Sequence, residues 1–383
     1  MKQKICFIVT DAISFNFLMK GQLEFIQSLN KYDITLISGG EHEQLEFLKS
    51  RGVGKIKYIP FSRTIKLLND ISCLLKLIIY LFNNKQDIVV YSTPKAMLLG
   101  SLASWLTFQP SRIAIVRGRA YENYNGLKRK LFECLDRITI KTSSKILFIS
   151  HSLRNAYLQG GLVKTSSSKV VGNGSSNGID IEWVNGSIEE KVIQKLKADI
   201  NYNPKRDFIA ITVGRICIDK GIVELKEIFE SLKKHEHFKI ICVGKTEDSH
   251  SEYLIKELSK CNNFFHFNQT SDVRPFFHLA DLHLFLSHRE GFGNVAIEAA
   301  SFNVPSFGYN VVGVTDSIKN GVTGRLFPFK DSLSISEAII PFLDSNKASR
   351  GKYPEMKRYT LDSFNSVDVW LAYEKEFSNE KAL

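Results

Sequence analysis

The chain has 383 residues, of which 44% are hydrophobic and 24% are charged. These values are ordinary for globular proteins and exclude a largely disordered chain. The length exceeds that at which a single core stops growing, so it predicts two domains. The net charge of +11 is unevenly distributed along the chain. Residues 1–180 hold 25 Lys and Arg against 12 Asp and Glu, while the remainder holds 26 against 28. The excess indicates nucleic acid, anionic lipid or a phosphorylated substrate as a partner of the first half, or a solvated basic face.

Strand-like and helical runs alternate from the amino terminus, where MKQKICFIVTDAI has too short an apolar run for a signal peptide. In chain order they are KICFIVT, a helix from Phe17 to Asn30, DITLIS, the helix EQLEFLKSRG, KIKYIPF, a helical stretch at 64–85, DIVVYST, RIAIVRG and SKILFIS. Such alternation predicts a parallel sheet covered by helices on both faces. The 64–85 stretch is interrupted by Lys66, Asp70 and Lys76, which argues against a bilayer span. It is either an amphipathic helix at a membrane interface or an ordinary covering helix.

The segment GNGSSNGID, residues 172–180, is too rich in Gly, Ser and Asn for a helix and marks a domain boundary. Four further strands, DFIAITVGR, FKIICVG, NFFHFNQ and DLHLFLS, follow with helices between them. We therefore predict domains at 1–175 and 176–360, and a final helix at 361–383 that can pack back on the first domain. Ligands of such sheets bind at the carboxyl ends of the strands.

Two glycine-containing segments at predicted strand ends carry charged side chains. In REGFGNVAIEA, residues 289–299, Glu290 lies on a loop and Glu298 lies one turn inside a helix that starts near Asn294, an N-cap residue type. The loop amides and the helix N-terminus suit a phosphate or sugar hydroxyls. In TVGRICIDKG, residues 212–221, an Arg and a Lys suit a diphosphate. Taken alone, the two glutamates are more typical of an acid in the first turns of a helix and a solvated loop residue, and the Arg and Lys are more typical of an ordinary basic loop.

The second half resembles the nucleotide-sugar domain of retaining glycosyltransferases of family 4. The resemblance lies in VGRICIDKG, in the stretch from DVRPFF to PSFGY that contains the Glu-x7-Glu spacing, and in GVTDSIKNGVTGRLFP. It implies an α/β chain with the GT-B fold, in which two doubly wound, Rossmann-like parallel sheets face each other across a cleft. It also implies a nucleotide-diphosphate sugar donor, with UDP as the expected carrier, bound by residues 176–360.

The resemblance implies a role for each matching residue. The catalytic group comprises Glu290 at the donor sugar and Arg215 and Lys220 at the diphosphate. Glu298 accepts hydrogen bonds from the ribose, and the remaining donor-binding residues are Gly214, Lys245, Gly291, Phe292, Gly293, Val314 and Thr315. The loop from Val243 to Lys245 and the stretch from Phe267 to Val273 are expected beside the base. No Asp-x-Asp metal motif is present, and the two cations with a helix N-terminus can neutralise the leaving diphosphate, so we expect no metal and no cofactor.

The first half resembles bacterial family 4 enzymes that extend undecaprenyl-diphosphate-linked sugars, through YSTPKAMLLGSLAS, FISHSLRNAYL and VVGNGSSNGID. This implies an acceptor-binding domain that acts on a polyprenyl-diphosphate saccharide. The expected acceptor-side residues are Asp11, Asn16, Lys95, Arg117, Arg119 and Glu122. Many relatives have a histidine where RGR stands at 117–119, so no general base or nucleophile is assigned.

These observations predict a retaining, metal-independent glycosyltransferase of surface polysaccharide (O-antigen or capsule) biosynthesis. We expect it in the cytoplasm at the anionic inner face of the membrane, with no nucleic acid as partner. Two alternatives remain: a nucleotide-sugar epimerase or hydrolase on the same fold, and a basic nucleic-acid-binding protein. The scattered cysteines, without a C-x-x-C pair, are expected in the core of a protein from a reducing compartment. His288 has no partner spaced for metal binding and is expected to be structural or solvent-facing.

Overall fold

The computed structural model describes residues 2–119, 121, 124–343 and 353–378. The chain forms two compact units. Unit 1 comprises Met1–Gly178 with Ser366–Leu383, and unit 2 comprises Ile179–Asn365. The chain thus passes into unit 2 after Gly178, within the glycine-rich segment, whereas the sequence placed the boundary after residue 175.

Unit 1 contains a parallel sheet with seven strands in its described part, in the order β3-β2-β1-β4-β5-β6-β7. The strands are β1 Gln3–Asp11, β2 Tyr32–Gly39, β3 Lys55–Tyr58, β4 Ile88–Ser92, β5 Ser111–Val116, β6 Lys145–Phe148 and β7 Ser168–Val170. The helices are α1 Ile13–Leu18, α2 Gln22–Ser28, α3 His42–Ser50, α4 Leu67–Asn83, α5 Pro94–Leu106, α6 Gly126–Thr142 and α7 His151–Gln159. The central strands are buried almost throughout, as expected for a sheet covered on both faces.

Unit 2 contains a second parallel sheet, with six strands among the described residues, in the order β10-β9-β8-β11-β12-β13. Its strands are β8 Phe208–Val213, β9 Phe238–Val243, β10 Phe264–Phe267, β11 Leu282–Phe285, β12 Ser306–Tyr309 and β13 Gly324–Phe327. Its helices are α8 Ile181–Asn185, α9 Glu190–Asp199, α10 Ile222–Leu232, α11 Ser249–Leu258, α12 Arg274–Leu279, α13 Asn294–Ser301, α14 Val314–Ser317, α15 Ser332–Leu343 and α16 Met356–Phe364. One buried cluster lies against α10 and α15, and another lies against α9 and α12.

The last helix, α17 (Ser366–Ser378), belongs to unit 1. Its Phe377 ring meets the ring of Phe7 in β1 edge-on at 5.8 Å, and Glu374 accepts a 2.9 Å hydrogen bond from the hydroxyl of Tyr32 in β2. Unit 1 is therefore completed by the carboxyl end of the chain.

The predicted continuous helix from Phe17 to Asn30 is wrong, since α1 ends at Leu18 and α2 begins at Gln22. Gly21 separates the two helices with φ of 77°, a conformation that favours glycine. A Cβ at this position would lie 2.6 Å from the ring of Trp370 in α17. The break thus makes room for a residue that is distant in sequence.

Candidate functional site

The centre of the unit 2 sheet is a topological switch point, because the chain proceeds outward in opposite directions from β8 and β11. Ligands of open α/β sheets bind at the carboxyl ends of the strands at such points. The loop after β8 carries Arg215 and Lys220, and the loop after β11 carries Glu290. The structure therefore brings together the two segments that the sequence singled out.

The central contact of this site is an ion pair between Lys220 Nζ and Glu290 Oε1. The hydroxyl of Ser287 donates to the same carboxylate oxygen at 2.8 Å, and the amide of Glu290 donates to the carbonyl of Val312 at 3.0 Å. Both members of the pair are largely buried, where charges attract more strongly than in water. The pair therefore fixes the two loops against each other.

Close backbone packing holds this arrangement at two glycines. A Cβ on Gly221 would lie 2.3 Å from the carbonyl oxygen of Leu286, and one on Gly313 would lie 2.4 Å from that of Glu290. Both glycines have φ of 80°, which also disfavours other residues. Any side chain at either position would push the loops apart.

Arg215 lies in the same loop as Lys220 but has a different partner. Its Nη1 lies 2.5 Å from Glu247 Oε2, and this hydrogen bond raises the pKa of the guanidinium. Gly214 precedes it with φ of 138°, and the carbonyl of Lys245 accepts from the amide of Ile216 at 2.9 Å. Arg215 is exposed, so its guanidinium can turn toward a ligand.

Helix α13 carries the second glutamate of the motif. Burial raises the pKa of Glu298 to about 7, well above the 4.5 that is usual for this side chain. The expected N-cap role of Asn294 is wrong, because Asn294 is the first helical residue and Gly293 is the N-cap. Gly293 has φ of 91°, a conformation that Asn tolerates less readily than Gly.

The remaining donor-side positions differ in what they offer to a ligand. Phe292 is buried and its ring packs edge-on against Phe364 at 5.2 Å, so this aromatic side chain anchors the loop between Gly291 and Gly293 in the core. Val314 is fully buried, and the amide of Thr315 donates to the carbonyl of Val311 at 3.2 Å. The phosphate contacts expected of Val314 and Thr315 stay a prediction.

The segment expected beside the base lines a cavity of about 380 Å³ in unit 2. Phe267, Thr270 and Asp272 form one wall, and residues of α9 and the turn before it form the other. The structure thus places this segment at an open cavity.

His288 interacts with a residue that sequence reasoning did not identify. Its Nε2 lies 3.0 Å from Oε1 of Glu224, which is buried in α10. Burial acts to raise the pKa of Glu224, but the hydrogen bond from His288 and nearby positive charge hold it below its usual value. His288 is thus structural and not solvent-facing, and its 64-residue separation from Glu224 left no local signal.

Three acceptor-side candidates of unit 1 are already engaged within the unit. Asp11 accepts a hydrogen bond from the amide of Ile13 at 3.0 Å and also pairs with Arg63 at 3.0 Å. Asn16 is buried and donates to the backbone and side chain of Gln44. Lys95 pairs with Asp70 at 2.6 Å. These residues are held in structural contacts of the unit.

Arg119 lies over the rings of Tyr121 and Tyr157, at 5.7 and 6.0 Å from their centroids. Both tyrosine hydroxyls donate to Asp136, at 3.0 and 2.6 Å, and burial raises the pKa of this carboxyl. Arg117, by contrast, has three buried guanidinium nitrogens without a hydrogen-bond partner among the described residues. Glu122 lies outside the described residues.

The six cysteines are free thiols, and Cys134 is exposed, contrary to the expectation that all lie in the core. In the described part of the chain, no helix is both long and apolar enough to cross a bilayer.

Residues 194–359 match the family described as Glycosyl transferases group 1. The chain is 33% identical to the capsular polysaccharide biosynthesis glycosyltransferase CapM of Staphylococcus aureus, over 98% of this chain and 97% of that protein. It is 23% identical to the Escherichia coli UDP-Gal:alpha-D-GlcNAc-diphosphoundecaprenol alpha-1,3-galactosyltransferase, over 75% of this chain and 74% of that one. Anabaena HepE in complex with UDP has the same fold, with a TM-score of 0.77 at 16% identity over 99% of this chain and 100% of that one.

Proposed function

The chain belongs to the group 1 glycosyl transferases and has the GT-B fold, and we propose that it moves a sugar from a UDP-linked donor to a polyprenyl-diphosphate-linked saccharide. The reaction retains the anomeric configuration, needs no metal, and serves capsule or O-antigen biosynthesis. The contact between Lys220 and Glu290 at the switch point of unit 2 carries this proposal. Two relatives support it: CapM by its role in capsular polysaccharide biosynthesis and the E. coli enzyme by its diphosphoundecaprenol acceptor.

In the proposed reaction the bond from the anomeric carbon to the diphosphate oxygen breaks, and its electron pair stays on the diphosphate. The hydroxyl oxygen of the acceptor bonds to the anomeric carbon from the same face, and its proton passes to the departing diphosphate oxygen. The transition state thus gathers negative charge on the leaving group, where a preorganised cation stabilises it strongly. Lys220 and Arg215 supply the positive charges that do this. Their present partners, Glu290 and Glu247, hold them in position without a ligand.

Arrival of the diphosphate gives Lys220 a second anionic partner and releases part of the Glu290 carboxylate. A carboxylate accepts hydrogen bonds from sugar hydroxyls, so Glu290 then orients the donor sugar while Ser287 continues to donate to it. Glu298 accepts from the ribose hydroxyls in its ionised form. The absence of a side chain at Gly291 lets the donor approach the loop closely.

Unit 1 supplies the acceptor side of the proposal and a surface that fits a membrane. One face of α4 exposes large apolar side chains, with Leu68 exposed by 86% and Phe82 by 68%. Lys85 donates to the carbonyl of Thr107, so the end of α4 lies beside the end of α5, where Phe108 is 85% exposed. We define this surface as the α4 face; its members are Leu68, Ile71, Leu75, Ile79, Phe82, Trp105, Leu106 and Phe108.

An apolar patch flanked by lysines matches the interface of an anionic membrane, where aromatic rings and aliphatic side chains enter the headgroup region. The positive excess of residues 1–180 adds an attraction to anionic lipids. We therefore propose peripheral association of unit 1 with the cytoplasmic leaflet, which also holds the lipid-linked acceptor.

The stability of the 383-residue chain can be measured with UDP, dTDP or GDP added, without magnesium and with EDTA present. A nucleotide at 100 times its dissociation constant should stabilise the chain by about 2.7 kcal/mol. Labelled nucleotide sugars offered with a panel of undecaprenyl-diphosphate saccharides should then give a labelled lipid product that keeps the anomeric configuration.

Indifference to every nucleoside diphosphate would refute the proposal. Release of free or epimerised sugar without an acceptor would favour the hydrolase or epimerase alternative. Binding of single-stranded nucleic acid in preference to anionic liposomes would favour the nucleic-acid alternative.

A further inference from the structure

Arg117 is a buried cation without a counter-charge. All three nitrogens of its guanidinium are buried and have no hydrogen-bond partner among the described residues. A guanidinium offers five N–H donors and stays charged in proteins. Leaving such a group desolvated and unpaired costs several kcal/mol, so an unpaired buried guanidinium indicates a missing ligand.

Within the part of the chain that the structure describes, no carboxylate pairs with Arg117. The group that interacts with it electrostatically is the phenol of Tyr373, which is fully buried and donates to the carbonyl of Ser175 at 3.3 Å. Burial raises the pKa of this phenol, so it remains neutral, and burial lowers the pKa of the Arg117 guanidinium. Other unit 1 cations do have partners: Lys95 pairs with Asp70, and Arg63 pairs with Asp11.

The position of Arg117 in the sheet adds further positive potential. It follows β5 directly, at the carboxyl edge of the sheet. The neighbouring strands β4 and β6 pair with β5 up to Ser92 and Phe148, and each then leads into a helix, α5 or α7. The amino ends of both helices thus flank Arg117, and helix amino ends carry partial positive charge. The 13-residue helix α5 has no side-chain cap at its amino end.

The backbone next to Arg117 borders open space. Gly118 follows Arg117 with φ of 155°, and a Cβ placed on it would meet no atom of the described residues within 4 Å. An oxyanion is the chemistry that fits an arginine at a sheet edge where two neighbouring strands lead into helices, because a guanidinium and a helix amino end both favour negative charge.

We propose that Arg117 binds a phosphate group of the acceptor's diphosphate at the carboxyl edge of the unit 1 sheet. This inference rests on the proposed function and deepens it, since it assigns the residue that recognises the acceptor by its charge. The bidentate geometry of guanidinium on phosphate makes arginine hard to replace by lysine. The recognition is independent of the sugar that the acceptor carries.

Arg112, which lies in β5 just before Arg117, provides a matched control. Its guanidinium donates to the carbonyls of Thr142 and Gln109, at 2.8 and 2.7 Å, so it serves the structure alone. Arg117→Gln, Arg117→Lys and Arg112→Gln are compared with the wild-type chain in detergent micelles that contain undecaprenyl diphosphate, undecaprenyl monophosphate or undecaprenol. UDP and inorganic diphosphate are tested separately.

We expect the wild-type chain to bind undecaprenyl diphosphate more tightly than undecaprenol. Arg117→Gln should lower the affinity for undecaprenyl diphosphate by about ten- to a hundredfold, as when a charged hydrogen bond is lost. Arg117→Lys should restore part of this binding. Without ligand, Arg117→Gln should have a melting temperature equal to or above that of wild type, because it removes an unpaired buried charge. Arg112→Gln should melt earlier and retain lipid binding.

Unchanged lipid binding in Arg117→Gln, or a melting temperature as low as that of Arg112→Gln, would overturn the inference. Binding of inorganic diphosphate alone, without discrimination between the lipids, would also overturn it. If sugar transfer occurs while Arg117→Gln keeps the wild-type KM for the lipid acceptor, the inference fails and the function stands. If no nucleotide binds while undecaprenyl diphosphate still binds through Arg117, the function fails and the inference stands.

Discussion

The two sheets share the strand order 3-2-1-4-5-6, counted within each unit, yet they differ in how charge is arranged at their carboxyl ends. In unit 2, the cations Lys220 and Arg215 each contact a carboxylate. In unit 1, Arg117 has buried nitrogens and no hydrogen-bond partner among the described residues.

This difference suggests two ways of binding a diphosphate. Paired cations in unit 2 are stable without ligand and exchange partners when a donor arrives and leaves, which suits a product that must be released. An unpaired cation destabilises the free unit and is stabilised only by its ligand, which suits selection of a charged acceptor. The proposed donor and acceptor roles follow this division.

The largest expected effect comes from breaking the pair in unit 2. Lys220→Ala should lower kcat by about 10²- to 10³-fold, because it removes a preorganised donor to the developing charge. Nucleotide binding should change much less. Lys226→Ala is the matched control, since Lys226 is a surface lysine of α10 that pairs with Glu230. The kcat of both variants is measured from initial rates with a labelled nucleotide sugar. If Lys220→Ala and Lys226→Ala have equal kcat, Lys220 has no role in the chemical step.

Glu298→Ala should weaken UDP binding by about ten- to a hundredfold, through loss of hydrogen bonds to a charged acceptor. Lipid-acceptor binding in unit 1 should stay unchanged, which separates the two sides of the comparison. Titration calorimetry with UDP and with undecaprenyl diphosphate micelles measures the two effects. An equal loss in both titrations would show that Glu298 acts through general stability.

The third prediction concerns the binding of unit 1 to membranes. Replacing two exposed members of the α4 face, Leu75→Glu and Ile79→Glu, should lower partitioning to anionic vesicles by about tenfold or more, because apolar contact is lost and like charge is added. Leu333→Glu is the control, since Leu333 is an exposed leucine on helix α15 of unit 2. If both variants sediment equally with anionic vesicles, the α4 face is not the surface that contacts the membrane.

The smallest expected effect is a pH dependence at the donor side. In the proposed site the ionised form of Glu298 binds the ribose, and burial raises the pKa of Glu298 in the free chain to about 7. The affinity for UDP should therefore fall by up to tenfold per pH unit below 7 and level off above it. Because folding raises this pKa, the unfolding free energy of the free chain should decrease as pH rises from about 4.5 to 7.

Glu298→Gln should remove both pH effects and leave only the titration of the terminal phosphate of UDP, near pH 6. A wild-type affinity profile that coincides with that of Glu298→Gln would contradict the ribose contact.

Much of the fold was predictable, because alternation of apolar strands with helices is a local pattern. The short strands β7, β12 and β13 were missed, since their sequences, SKV, SFGY and GRLF, contain no continuous apolar run. The Glu-x7-Glu segment and the Arg-Lys loop were recognisable as motifs, and their meeting at the switch point follows from the order of the strands.

What the sequence could not predict depends on contacts between distant residues. The break at Gly21 reflects the ring of Trp370, the pairing of His288 depends on Glu224, and the isolation of Arg117 is a property of its whole surroundings. The burial of the Phe292 ring likewise depends on its contact with the ring of Phe364, which is distant in sequence. Single-sequence patterns carry no information on such pairs.

The return of α17 to the first unit has a consequence for biosynthesis. Contacts from Glu374 and Phe377 to Tyr32 and Phe7 join α17 to the amino-terminal strands, so unit 1 lacks this helix while the ribosome translates the intervening 187 residues of unit 2. We expect the nascent amino-terminal part to expose apolar surface until translation ends. Truncation before residue 366 should therefore yield aggregates, even though it leaves every proposed donor-binding residue intact.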